Sequence, residues 1–206
     1  MSDRQPLFTR SAILLLCIFL VSACGTTPAS RFYMLSPLAS PREQQIVGGE
    51  KRDVVIGLLP VEFPPYLQRP QIVSRSAGAE VHLAQTHRWA EPLQDNFTRV
   101  MADNLSALMN TATVISYPSL NWSNIDYRIV IDVTRFDSDP DGIVTLETQW
   151  SLLNHRQTQT AIIKTSRLTT RAHSSSYDDI VSAYSEAVLL LSREIAAAVN
   201  NIQRGT

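Results

Sequence analysis

The residues Val21-Ser22-Ala23-Cys24 are the place in this 206-residue chain where residue type and order prescribe a covalent reaction. They follow Arg4, Arg10 and an apolar run from Ala12 to Val21, which has the plan of a secretory leader: a basic start, a short apolar stretch, then small residues for cleavage. The run is well short of the ~20 residues that a spanning helix needs. The tetrapeptide has the form of a lipobox, with Val where Leu is more usual. A thiol beside the cut can be thioether-linked to a diacylglyceryl group, and the α-amino group freed by cleavage can then be acylated. At ~0.8 kcal/mol per buried CH₂, three chains hold a protein on a bilayer far more firmly than one. Residues 1–23 are therefore read as a signal peptide and residues 24–31 as an acylated cysteine with its tether. The plainer alternative is an ordinary cysteine behind a simple export signal. Cys17 leaves with the leader, so no disulfide can form within the mature chain. The acyl groups on Cys24 are the only non-protein groups expected, with no further cofactor.

Other candidate chemistry is weaker. Asp137-Ser-Asp139-Pro-Asp141-Gly142 mimics the start of a calcium loop, but its twelfth position is Thr148 rather than Glu and strands are expected on both sides; an acidic turn is the reading taken. His82, His87, His155 and His173 show no zinc spacing and are expected at the surface, so no metal site is assigned. Neither a nucleophile elbow nor a glycine-rich phosphate loop occurs, and no catalytic residue is assigned. With 18 basic and 19 acidic residues there is no basic surplus for nucleic acid.

Tyr66-Leu67-Gln68-Arg69-Pro70-Gln71, taken with Arg88-Trp89, is the candidate binding surface. Pro64, Pro65 and Pro70 stiffen the backbone, and Tyr, Trp and Arg are the types that dominate interaction sites. Tyr66, Leu67, Arg69, Gln71, Arg88 and Trp89 are the residues named for it. The same residues also suit packing, with Trp89 closing the core, Tyr66 filling a bend and the arginines holding carbonyls.

These groups need elements to position them. In the stretch from Arg88 to Met109, Pro92 suits a first helical turn, and Leu93, Phe97, Val100, Met101, Leu105 and Leu108 recur at helical spacing. Asp53 to Val61 is nearly all apolar, as in a central strand covered on both faces. Gln71 to Arg75 and Glu80 to Ala84 can pair as a hairpin, and Thr113 to Ile115 is a further strand. Tyr127 to Phe136, Ile143 to Leu153 and Ala161 to Arg171 make an antiparallel meander with Thr145, Glu147, Gln149, Lys164, Ser166 and Thr170 on a wet side. Ser174 to Ser176 cap a last helix whose apolar side runs from Ile180 to Ile202. The expected fold is α+β, a two-layer sandwich of an antiparallel-rich mixed sheet with two main amphipathic helices on it. The helix stripes could instead line a lipid cavity, but a domain without disulfides needs them for its core. Pro37 to Arg52 is expected as a long loop.

Two stretches in order, Tyr66 to Arg75 and Arg88 to Leu105, resemble the signature of the ABC-type transport auxiliary lipoproteins, and Arg31 to Leu35 is similar to that family's opening strand. The resemblance covers nearly all of residues 32–206, taken as one domain. It implies a non-catalytic auxiliary component of an intermembrane transport system moving lipids or other hydrophobic molecules. Its implied partners are an MCE-domain transport protein and an inner-membrane permease, and homo-oligomer formation is left open. Gly25 after the cysteine, in place of Asp, implies anchoring in the outer membrane on its periplasmic face. Two other functions stay open: a periplasmic carrier that binds the lipid itself, and a lipoprotein enzyme.

Overall fold

The computed structural model describes residues 28–37, 54–76, 78–109, 113–118, 125–154 and 159–204. Cys24, the tether up to residue 27, residues 38–53 and His155 lie outside them.

Three long strands form the frame. Alternating Ile129, Ile131 and Val133 place one side of β6 (Tyr127–Ser138) in the core. It pairs antiparallel with β7 (Ile143–Asn154), which pairs antiparallel with β8 (Gln159–Arg171). The turn between β6 and β7 is tight because Asp139 Oδ1 accepts the amides of Asp141 and Ile143, and Gly142 takes a φ of +73° that disfavours a side chain.

The other edge of β6 is shared by two strand groups. β2 (Ile56–Leu58) runs parallel to the start of β6, with β5 (Val114–Ser116) outside it. Farther along, β3 (Gln71–Arg75) meets β6 at Ser138, followed outward by β4 (Val81–Trp89) and β1 (Arg31–Tyr33). Among the described residues the sheet is therefore mixed and eight-stranded. A 3-10 turn, Pro65–Leu67, lies on the chain between β2 and β3, where the two prolines deny it ladder donors.

Both helices cover one face. α1 (Leu93–Met109) and α2 (Tyr177–Arg204) pack on each other and on the sheet. Phe63, Phe97, Phe136, Tyr184 and Trp89 form a chain of edge-to-face contacts with centroids 4.7–5.8 Å apart in the core between them. Ser176 caps α2, its hydroxyl accepting the amide of Asp179 at 3.2 Å.

The α+β two-layer sandwich expected from the sequence is what is observed, with four differences in detail. The central strand is three residues long, because Pro60 interrupts the ladder, but Ile56, Gly57 and Leu58 are all buried between β5 and β6 as a doubly covered strand requires. Arg88 and Trp89 end β4 instead of leading the helix; Pro92 starts α1, its carbonyl accepting the amides of Asp95 and Asn96. Thr145, Ser166 and Thr170 are buried rather than wet. Ser166 and Thr170 point at α2, where Thr170 Oγ1 donates to the Ala183 carbonyl and Ser166 joins Trp150 Nε1 to Glu194. His87 is not a plain surface histidine, for its ring stacks on Tyr177 at 3.6 Å with its Nδ1 2.8 Å from the Tyr33 hydroxyl.

Candidate functional site

The 3-10 turn divides the candidate surface into two sides. Pro64 is extended, and the amides of Leu67 and Gln68 close the turn on the carbonyls of Pro64 and Pro65. Gln68 Nε2 fastens it from outside by donating to the Phe63 carbonyl at 2.8 Å. In so short a turn neighbouring side chains diverge, so Leu67 enters the core at 2% exposure while Tyr66 goes to the other side.

On that other side Tyr66 meets a buried carboxylate. Asp137 is fully buried and accepts Arg75 Nε at 3.0 Å and Arg135 Nε at 2.8 Å, with the Tyr66 hydroxyl at 3.4 Å. The Arg75 guanidinium also lies over the Tyr66 ring, 5.5 Å from its centre. Its hydrogen bond to Asp137 raises the Arg75 pKa, and burial followed by the Asp137 charge raises that of Tyr66. Tyr66 thus holds the turn to the sheet.

On the near side, a cleft of about 360 Å³ opens between the turn and the start of α1. Its floor is apolar: Phe63, Leu67, Pro70, Trp89, Pro92 and Leu93 line it. Exposed Gln68 and Arg69 supply polar groups on its wall. Trp89 is only 5% exposed, packs edge-on against Tyr184 and donates its amide to the Pro70 carbonyl, so it forms cleft wall and core at once. Glu91, also on the wall, is paired with Arg99. Such a cleft can hold an apolar side chain or chain end while Arg69 meets an acidic neighbour; the residues lining it include no pair of nucleophile and base.

The structure therefore brings Leu67, Arg69 and Trp89 together and places Tyr66, Gln71 and Arg88 elsewhere. Gln71 pairs with Arg88 across β3 and β4. Sequence reasoning missed Phe63, Pro92 and Leu93 as cleft walls, and the helix periodicity that assigned Leu93 to the core could not show that the first turn of α1 abuts the 3-10 turn. It also missed the ion-pair role of Asp137, which had been placed in an acidic turn.

Comparison with known proteins places the family and the fold. Residues 33–196 match the model of the family described as the ABC-type transport auxiliary lipoprotein component. The intermembrane transport lipoprotein PqiC of Escherichia coli K12 is 24% identical over 136 residues, 66% of this chain and 70% of that one. The same fold occurs in a crystal structure of an uncharacterized protein, with a TM-score of 0.69 at 20% identity over 84% of this chain and 99% of the other. It occurs too in protein XCC0632 of Xanthomonas campestris, with a TM-score of 0.65 at 18% identity over 85% and 99%. The matched residues run from β1 to well within α2 and include the cleft and the Asp137 network, and on that match the chain belongs to the ABC-type transport auxiliary lipoprotein family.

Proposed function

We propose that this chain is a non-catalytic auxiliary subunit of an intermembrane transport system for lipids or other hydrophobic molecules. In this reading acylated Cys24 holds it on the periplasmic face of the outer membrane, and the cleft beside Arg69 receives an MCE-domain partner that works with an inner-membrane permease. The observation that carries the reading is the family match over residues 33–196, which spans the folded domain instead of one motif. The cleft supports it, since a pre-formed apolar hollow with the exposed Arg69 at its wall binds with little ordering cost.

Affinity capture from solubilised envelope tests it. The wild-type chain should retain an MCE-domain protein. Arg69→Ala should weaken that capture by roughly tenfold while leaving the melting temperature unchanged, because Arg69 is exposed and has no structural task among those described above. Capture that lacks any MCE-domain protein would sink the partner assignment. One observation favours a second reading, the carrier that holds cargo itself: at about 360 Å³ the cleft falls at the lower end of small-molecule sites, ~300–1,000 Å³. Lipid co-purifying one-to-one with the unlipidated domain would select the carrier.

A further inference from the structure

We propose that the β1 edge is a membrane-contacting surface, with Phe32 and Met34 entering the interfacial layer of the bilayer that holds Cys24. This rests on the lipid-anchor reading of Cys24 and adds a second contact with the same membrane. Along residues 32–35 the side chains alternate. Leu35 is 2% exposed and Tyr33 is half-buried, and both turn toward the helices; Phe32 is 63% and Met34 45% exposed, and both face away.

The strand is clamped in that orientation. Asn96 Oδ1 accepts the Leu35 amide at 2.6 Å, Ser185 Oγ accepts the Ser36 amide at 3.0 Å, and the Tyr33 hydroxyl lies against His87. Phe32 and Met34 therefore cannot turn inward without breaking these bonds. Among the described residues the other large exposed apolar residues, Leu83, Tyr117 and Ile163, lie on three different strands or loops, whereas Phe32 in β1 and Met34 just after it share one side of one extended edge segment.

Chain length supplies the partner. At ~3.3–3.6 Å per residue, the connection from Cys24 to Phe32 reaches at most ~30 Å even when fully extended. Gly25 to Ser30 carries no charge, and exposed Arg31 stands at the tether end of β1, on the opposite side of the strand from Phe32, where its long side chain can reach a lipid phosphate. An exposed aromatic ring and thioether on one side, with an arginine at the end of the same strand, have the amphipathic character that lies in a headgroup boundary.

The test uses thiol chemistry. With Cys17 removed and Cys24 acylated, Phe32→Cys provides the single reactive thiol of the mature chain. It is labelled with an environment-sensitive fluorophore, and the acylated protein is reconstituted in vesicles of phosphatidylethanolamine and phosphatidylglycerol with or without brominated acyl chains. Asn201→Cys is the control, exposed and about 24 Å along α2 from Ser185, which contacts the β1 segment. The expected result is blue-shifted emission at Phe32→Cys, with bromine quenching roughly threefold that of the control. Met34→Cys gives the same reading if Phe32→Cys does not fold. Water-like emission with equal quenching at both positions overturns the proposal, as does a blue shift that brominated lipid does not quench, which would mean that protein covers the edge. Mass spectrometry of the N-terminal peptide in the same sample separates the two ideas. Acyl groups present with a water-like label remove only the membrane contact, and acyl groups absent remove the anchor as well.

Discussion

Asp137 is a fully buried carboxylate clasped by the guanidiniums of Arg75 and Arg135, each about one-quarter exposed. Removing one member of a buried charge pair costs more than the pair contributes, because the remaining charges lose their partner in a poor solvent. Asp137→Ala should therefore lower stability by about 3 kcal/mol, read as a lower urea midpoint. An unchanged midpoint would show that Arg135 transfers fully to Glu147, which already lies 3.9 Å away. Tyr184 is buried and donates to the Val73 carbonyl at 2.9 Å, and burial raises its pKa well above the ordinary 10.0. The unfolded chain then loses the phenol proton before the folded one does. The stabilising contribution is complete below about pH 10 and declines as pH rises from there through the folded value. Tyr184→Phe should flatten part of that alkaline decline and cost about 1 kcal/mol at neutral pH for the lost hydrogen bond. A wild-type melting temperature constant between roughly pH 9 and pH 11 would contradict the assignment.

At the scale of elements, α1 holds the start of the domain through one side chain. Asn96 is 1% exposed on the buried face of α1, which it shares with Asn104 and apolar side chains, and its Oδ1 is the acceptor for the Leu35 amide. Asn96→Ala should cost about 2 kcal/mol, because it leaves a buried donor unpaired. Hydrogen exchange at Leu35 should rise while α1 stays protected; equal acceleration throughout α1 would mean that the residue supports the helix rather than the strand. Sequence periodicity located both helices from their apolar spacing but passed over Asn96, Asn104 and Ser192. Their partners stand 61 to 88 residues away: Asn96 meets Leu35, and Asn104 Nδ2 donates to Ser192 Oγ across the helix pair. Local spacing carries no information about such contacts.

For the whole molecule, the decisive layer is β2, the short strand that joins β6 to β5 and is fully buried. Ile56→Asp would place a carboxylate at a 0% exposed site with no cation described beside it, and should prevent folding to a cooperative, soluble domain. A normal thermal transition in that variant would require β2 to lie at the surface. Cys24→Ala acts on a different level. It should abolish acyl labelling and leave the melting curve of the domain unchanged, because Cys24 precedes the first strand by seven residues. Retained acyl label would refute the lipobox assignment.

The sequence by itself determined what depends on near neighbours in the chain. Helix periodicity in 93–109, strand alternation in β6 and the serine cap of α2 are all set within a few residues, and the expectation of a leader and lipobox rests on the same kind of local pattern. Only the tertiary structure decided which of the candidate site residues share a surface. Tyr66 and Leu67 are adjacent in sequence, yet the 3-10 turn sends one to Asp137 and the other to the cleft. Trp89 joins Leu67 across 22 positions because the Trp89 amide bonds the Pro70 carbonyl. The physical reason is that side-chain direction at a turn, and the sharing of the β6 edge by two strand groups, follow from long-range pairing whose partners no local pattern encodes.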